Sequence, residues 1–171
     1  VVYCNLEKNK IPGAIVNVII NRMVIEVNSS DEMVRVGEKI GQLLRGGEFI
    51  ELVGDVGAGK TTLVKGIARG LKVDEYIQSP SFTISRVYDA RDDIKLHHYD
   101  FYRLDDAGIM ANELSESSQD DKSVTIIEWA GVISNILPIE RLTIRITATS
   151  DDGRMVELSP SPILSKLEVT R

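Results

Sequence analysis

The sequence predicts an α/β fold, a mixed β-sheet with helices on both faces in three layers. Three observations lead there. Short apolar runs of strand type, such as Glu48 to Val53, alternate with segments whose apolar residues recur at helical spacing. The link after Val53 is rich in glycine, as a strand-to-helix turn requires. Later runs meet across short polar turns, which adds antiparallel pairs to the sheet.

Taken in order, residues 1–22 read as an N-terminal extension. Lys8, Asn9, Lys10, Pro12 and Gly13 form a loop-like stretch, and the layout is neither that of a signal peptide nor that of a transit peptide. A domain is expected over 23–160, opening on the strand Val24 to Val27, with 161–171 as a tail outside the sheet. Ser29 and Glu32 have the spacing of a capping box. Met33, Val36, Ile40, Leu43 and Leu44 then follow at helical intervals, and Gly46-Gly47 closes the helix. Glu48 to Val53 is the next strand. Leu63, Val64, Ile67, Ala68 and Leu71 mark one face of the following helix, with Gly70 near its end.

Ile84–Tyr88 and Ile94–Phe101 form a hairpin around the turn 89–93. A helix over Asp105–Leu114 and a polar loop over Ser115–Lys122 are expected next. Val124–Ile127 is a short buried strand ending on Glu128-Trp129, and a helical or irregular piece reaches Pro138. Two closing strands, about 141–149 and 153–158, join at Asp151-Asp152-Gly153, with Asp152-Gly153 read as a hairpin turn pair.

Between Val53 and the helix lies Gly54-Asp55-Val56-Gly57-Ala58-Gly59-Lys60-Thr61, which fits the phosphate-binding P-loop pattern G-x-x-x-x-G-K-[ST]. Glycines 54, 57 and 59 are expected to take φ > 0 and turn backbone N–H groups onto an anion. Lys60 brings a positive charge to the β- and γ-phosphates, Thr61 offers a hydroxyl to Mg²⁺, and the helix N-terminus adds partial positive charge. A glycine-rich turn with an incidental lysine is the alternative, and the strand and helix on either side argue against it. The fold is therefore expected to be P-loop NTPase-like.

Composition narrows the partners. The 171 residues are 43% hydrophobic and 27% charged, which suits one globular domain. A net charge of −6 argues against a broad grip on a nucleic-acid backbone. The single cysteine, Cys4, allows no internal disulfide, so a reducing cytoplasm is expected, and no apolar run is long enough for a membrane span.

Phosphate chemistry also needs a second acid near Mg²⁺ and a group that positions the attacking oxygen. Asp100 and Glu128 both end predicted strands, where such a sheet places its ligand site, although strand ends also carry ordinary solvated acids. Ser79-Pro80-Ser81-Phe82-Thr83 lies between the P-loop helix and the Asp100 strand. It either brings a hydroxyl toward the metal or is simply a Pro-kinked loop. His98 reads as structural or as a proton shuttle, and Trp129 as packing before base stacking.

Four motifs in order, GDVGAGKTT at 54–62, SPSFT at 79–83, HYDFYRL at 98–104 and IIEW at 126–129, together resemble the TsaE (YjeE) family. These are small bacterial P-loop ATPases needed for threonylcarbamoyladenosine beside the anticodon of tRNAs that read codons starting with A. The resemblance implies ATP and Mg²⁺ as cofactors. Asp55, Val56, Gly57, Ala58, Gly59, Lys60, Thr61 and Thr62 would hold the phosphates, and Thr61 and Asp100 the metal. Thr83 would belong to a switch-like loop over the γ-phosphate, Glu128 would orient the hydrolytic water, and Trp129 would lie near the nucleotide. It also implies TsaD and TsaB as partners, with tRNA reached only through that complex. The segment Asp105–Leu114 departs from the family's Glu-rich helix, and residues 1–22 have no counterpart. Two other readings remain: a nucleotide-dependent binding module that barely hydrolyses, and a small-molecule kinase. The kinase is disfavoured because Asp105–Lys122, its best lid, has no arginine. A GTPase is disfavoured by the lack of an N-K-x-D motif after the P-loop.

Overall fold

The computed structural model describes residues 15–19, 22–104, 108 and 110–162. Among these, the strands are β1 (Ile15–Ile19), β2 (Arg22–Val27), β3 (Phe49–Val53), β4 (Ser85–Asp89), β5 (Lys95–Asp100), β6 (Ser123–Glu128), β7 (Leu142–Ala148) and β8 (Arg154–Leu158). The helices are α1 (Ser30–Leu43), α2 (Lys60–Gly70) and α3 (Met110–Gln119). All the strands form one eight-stranded sheet in the order β1-β2-β8-β7-β3-β6-β5-β4. Its centre, β7-β3-β6-β5, is parallel, and the outer pairs are antiparallel. The three-layer α/β architecture expected from the sequence is the one observed.

The first layer is α1 and α2 on one face of the sheet. Its core includes Val36, Ile40, Leu63, Ile67, Ile50, Leu52, Ile126 and Ile144. The helix α1 starts as the sequence foresees: Ser29 Oγ accepts from Glu32 N at 3.2 Å, and Asn28 N donates back to Glu32 Oε2 at 2.7 Å. The contact between the two helices is unusually close, because both present glycine to the other. A Cβ at Gly37 would lie 2.3 Å from Leu63 O, and one at Gly66 would lie 2.2 Å from Val34 O. Gly41 and Gly70 repeat the pattern one turn later. Such i, i+4 glycine pairs let backbones touch, a device better known in membrane helices.

Arg91, in the hairpin turn, locks this pair. Its guanidinium donates to Gly70 O at 2.7 Å and to Leu44 O at 2.8 Å, with longer bonds to Gly41 O and Gln42 O. A cation thus meets the carbonyl ends of both helices, where the dipoles favour it and the last carbonyls lack intrahelical partners.

The other face carries a smaller core of Phe49, Tyr99, Phe101, Leu114, Ile127, Ala130, Ile133 and Leu137, roofed by α3 and the turn 130–133. Burial pushes the Tyr99 phenol up to about 12, and its hydroxyl meets Glu113 and Ser117 of α3.

Three expectations are adjusted. The helix placed at 105–114 and the loop at 115–122 become one helix, Met110–Gln119, while residues 105–107 and 109 lie outside the described ones. Gly108, at φ 44, precedes the helix. Its serine-rich half stays helical because Leu114 and Ser117 are buried, and Ser117 and Ser118 donate to the carbonyls of Leu114 and Ser115. Asp152-Gly153 is not a two-residue turn, since neither residue has positive φ; the β7–β8 loop spans 149–153, closed by Thr149 N to Gly153 O at 3.0 Å. Part of the extension, Ile15–Ile19, pairs with β2 as an edge strand, and residues 1–14 lie outside the description. The tail is described only to residue 162.

Replacing Gly66 by Ala should force α1 and α2 apart and lower stability by about 1–3 kcal/mol. Arg91→Ala, which orphans several carbonyls at once, should cost about as much. Urea unfolding of each variant measures this. Losses under about 0.5 kcal/mol would show that the helices have room to spare.

Candidate functional site

The site is built where the parallel strands end. β3 stops at Val53, residues 54–59 turn back, and α2 begins at Lys60. Gly57 (φ 78) and Gly59 (φ 106) take the left-handed conformation expected of them. Gly54 does not. It is glycine because a Cβ there would lie 2.5 Å from Ile146 O on β7, so close backbone approach sets its identity. Unlike α1, α2 has no side-chain cap at its N-terminus. Its first N–H groups therefore face the loop concavity with the positive end of the helix dipole behind them.

Lys60 is buried, at 6% exposure. Its Nζ donates to Gly54 O at 2.8 Å and Asp55 O at 3.0 Å, and lies 3.9 Å from Glu128 Oε2. It also sits 4.4 Å from the centre of the Trp129 ring, a cation–π contact. Asp55, Val56 and Gly57 are exposed, Ala58 is buried, and Gly59, Thr61 and Thr62 are half-buried.

Asp100 and Glu128 end adjacent parallel strands directly opposite one another, and both are buried. Asp100 Oδ2 accepts from Ser79 Oγ at 2.9 Å and from Ser81 Oγ, while its Oδ1 accepts from Tyr102 N at 3.0 Å. Glu128 Oε1 is 3.0 Å from His98 Nε2. Thr83 lies exposed on a turn closed by its own N–H to Pro80 O at 2.9 Å. The structure thus brings Lys60, Asp100, Glu128 and Trp129 together. The hydroxyls it brings to Asp100 are those of Ser79 and Ser81, not that of Thr83. The S-x-S spacing was the available signal, because a hydroxyl two residues on in a turn reaches the same acceptor.

Two non-glycine residues at the rim hold positive φ, Ile84 (φ 67) and Trp129 (φ 58). For a β-branched residue such as Ile84 this costs about 1–3 kcal/mol, and it sits at the exit of the serine loop. Phe82 in that loop is 83% exposed, with the Arg103 guanidinium 4.4 Å from its ring centre. Tyr102, half exposed, rests 4.9 Å from Trp129.

Cavities flank the P-loop on both sides. One of about 490 Å³ is lined by Glu51, Asp55, Trp129, Gly131, Arg145 and Thr147. Another of about 210 Å³ lies among Ser29, Met33, Gly57, Thr62, Asp152 and Arg154. Arg154 binds the P-loop to the β7–β8 loop, donating to Ala58 O at 3.2 Å and to the carbonyls of Ser150, Asp151 and Gly153. Among the described residues, no cluster of three His, Cys, Asp or Glu has metal-binding geometry, and no helix is long and apolar enough to cross a membrane.

This fold and site define a P-loop NTPase-like α/β protein, with a buried lysine at the head of its central helix and two acids across from it. The chain belongs to the family of threonylcarbamoyl adenosine biosynthesis proteins TsaE, whose sequence profile matches residues 27–156. Curated relatives called tRNA threonylcarbamoyladenosine biosynthesis protein TsaE agree. The one from Bacillus subtilis is 39% identical, over 64% of this chain and 68% of its own length. That from Treponema pallidum is 34% identical over 77% and 96%, and that from Borreliella burgdorferi 33% over 80% and 99%. The crystal structure of Bacillus subtilis YdiB superimposes with a TM-score of 0.72 at 27% identity, covering 88% of this chain and 97% of that one.

Ser81→Ala should remove one of the bonds that pin residues 79–83 to Asp100, at a cost of about 1 kcal/mol. Hydrogen exchange at Thr83 and Ile84, whose amides bond to Pro80 O, should quicken about fivefold or more. Unchanged exchange would mean that the loop is held by something other than Asp100.

Proposed function

We propose that this chain binds Mg²⁺-ATP at residues 55–62 and hydrolyses it, acting in tRNA threonylcarbamoyladenosine biosynthesis. In this reading, hydrolysis cycles a TsaD–TsaB assembly in the cytoplasm, and tRNA is met only through that assembly. The observation that carries it is Lys60: a buried ammonium at an uncapped helix N-terminus, held by loop carbonyls and facing a buried glutamate. Such an arrangement fits a polyphosphate. The loop turns on Gly57 and Gly59 at positive φ, the uncapped helix end offers its free N–H groups, and the Lys60 cation is already oriented.

Within it, Lys60 exchanges carbonyl bonds for β/γ-phosphate oxygens. Thr61 and Asp100 would hold Mg²⁺, which suits an ion that takes one or two protein ligands and completes its shell with phosphate and water. Mg²⁺-ATP supplies the reactive phosphoanhydride. Glu128 presents a buried carboxylate oxygen that orients the attacking water, Trp129 covers the lysine, and Thr83 stands in the loop tied to Asp100. A kinase is disfavoured further by α3, whose Leu114 and Ser117 are buried beside β6 instead of being free to close as a lid.

A second reading, a nucleotide-controlled binding module with little turnover, is favoured by one feature. Phe82 and Tyr102 are exposed aromatics on the segments that flank Asp100, where a partner could sense its occupancy. Phosphate release measured with and without TsaD, TsaB and tRNA separates the two.

Saturating Mg²⁺-ATP, at about 100 times its dissociation constant, should stabilise the fold by about 2.7 kcal/mol. That corresponds to a rise of about 5–10 °C in melting temperature. The rise should vanish in Lys60→Ala, and it should shrink on chelating Mg²⁺ or in Asp100→Asn. An unshifted parent protein would remove the nucleotide reading altogether.

Glu128→Gln should bind ATP within a few-fold of the parent yet lose about 10²–10⁴ in turnover, because the change acts chiefly in the transition state. Parent-rate hydrolysis by this variant would move water positioning elsewhere, with Thr83 the next residue to test.

A further inference from the structure

Glu128 has three rotatable bonds and two oxygens, yet a water-orienting carboxylate must present one of them in a fixed direction. The arrangement around it shows what fixes it. His98 lies on β5, two residues before Asp100, and is fully buried at 0% exposure. In the β5–β6 register His98 is opposite Ile126, so its diagonal neighbour on the same face is Glu128. Its Nε2 is 3.0 Å from Glu128 Oε1, and the other carboxylate oxygen, Oε2, is the one turned toward Lys60.

The second ring nitrogen gives the direction of the bond. His98 Nδ1 is buried and has no hydrogen-bond partner. A hydrogen placed there would be an orphaned buried donor, whereas on Nε2 it meets a carboxylate. The ring hydrogen therefore belongs on Nε2, and His98 donates to Glu128.

We infer that His98 is a positioning residue for hydrolysis, holding Glu128 Oε1 so that Oε2 alone faces the phosphate side of the site. The inference rests on the proposed ATPase reading and deepens it. His98 touches neither the P-loop nor Asp100 by any hydrogen bond among the described residues, so its effect passes through Glu128. A purely structural buried histidine would matter for stability and would be indifferent to where the donor sits.

Two amide replacements separate these roles. His98→Gln carries its N–H at the place of Nε2, and His98→Asn carries it at the place of Nδ1, facing away from Glu128. With TsaD and TsaB present, the Asn variant should lose about 10- to 100-fold in kcat. Its affinity for Mg²⁺-ATP, measured by calorimetry, should stay within about threefold of the parent, and the Gln variant should recover most of the rate. In a Glu128→Gln background, His98→Asn should add no further loss, since both act on one group. Long-range ¹⁵N–¹H spectra of the parent should show the His98 hydrogen on Nε2.

Equal rates for Gln and Asn would overturn the inference, as would affinity and rate falling together, or a hydrogen found on Nδ1. A parent protein that releases no phosphate in any mixture would instead remove the ATPase reading, leaving the Nε2 assignment measurable on its own.

Discussion

The close approach of α1 and α2 is the constraint on which the rest depends. Lys60 is the first residue of α2, so the position of its ammonium is set by where that helix lies against the sheet. Glycine at 37, 41, 66 and 70 brings the two backbones into contact, and Arg91 ties both carbonyl ends together. A helix seated by side chains alone could slide as those side chains change rotamer. Backbone-on-backbone contact leaves no such slack, because a shift of a few tenths of an ångström meets carbonyl oxygen. Precision at the N-terminus of α2 thus comes from glycine at its middle and arginine at its end.

Electrostatics explains why the site's polar groups tolerate burial. Lys60, His98, Asp100 and Glu128 all lie at or near the carboxyl ends of β3, β5 and β6 with little exposure. Each has partners: Lys60 has loop carbonyls and the Trp129 face, Asp100 has two serine hydroxyls and a backbone amide, and Glu128 has His98 and the lysine at longer range. Removing any one would strand another in low dielectric, where an unpaired group costs far more than a paired one gains. The cluster is consequently a unit, held to the sheet by strand register.

Much of this was legible in the sequence, and the reason differs by element. The P-loop was readable because its chemistry leaves few choices at fixed spacing, and β3 and α2 because apolar period marks them on both sides. Asp100 and Glu128 were readable as strand ends. The second half of α3 was not, because a serine-rich segment is neutral in propensity and becomes helical only through Leu114, Ser117 and the roof they form over β6. The role of Gly54 was misassigned, since one glycine can answer a need for φ > 0 or for close approach, and only the neighbour, Ile146 O, tells which. The glycine pairs of α1 and α2 and the Arg91 clamp are tertiary facts. Their residues look like ordinary breakers and a turn cation until two distant segments meet.

The serine loop shows how binding at the site could reach the surface. On the proposed reading Asp100 serves two masters, because the oxygen that would face Mg²⁺ is drawn from a carboxylate already accepting from Ser79, Ser81 and Tyr102 N. A metal taking a lone pair weakens at least one of these bonds, and the strained Ile84 at the loop's exit lowers what must be overcome to move it. Between Ser81 and Ile84 lies Phe82, the most exposed aromatic among the described residues. Its ring, stacked on Arg103, is therefore separated from the metal-side carboxylate by one residue and one hydrogen bond. A change at Asp100 need travel no further than that to alter the exposed face around Phe82.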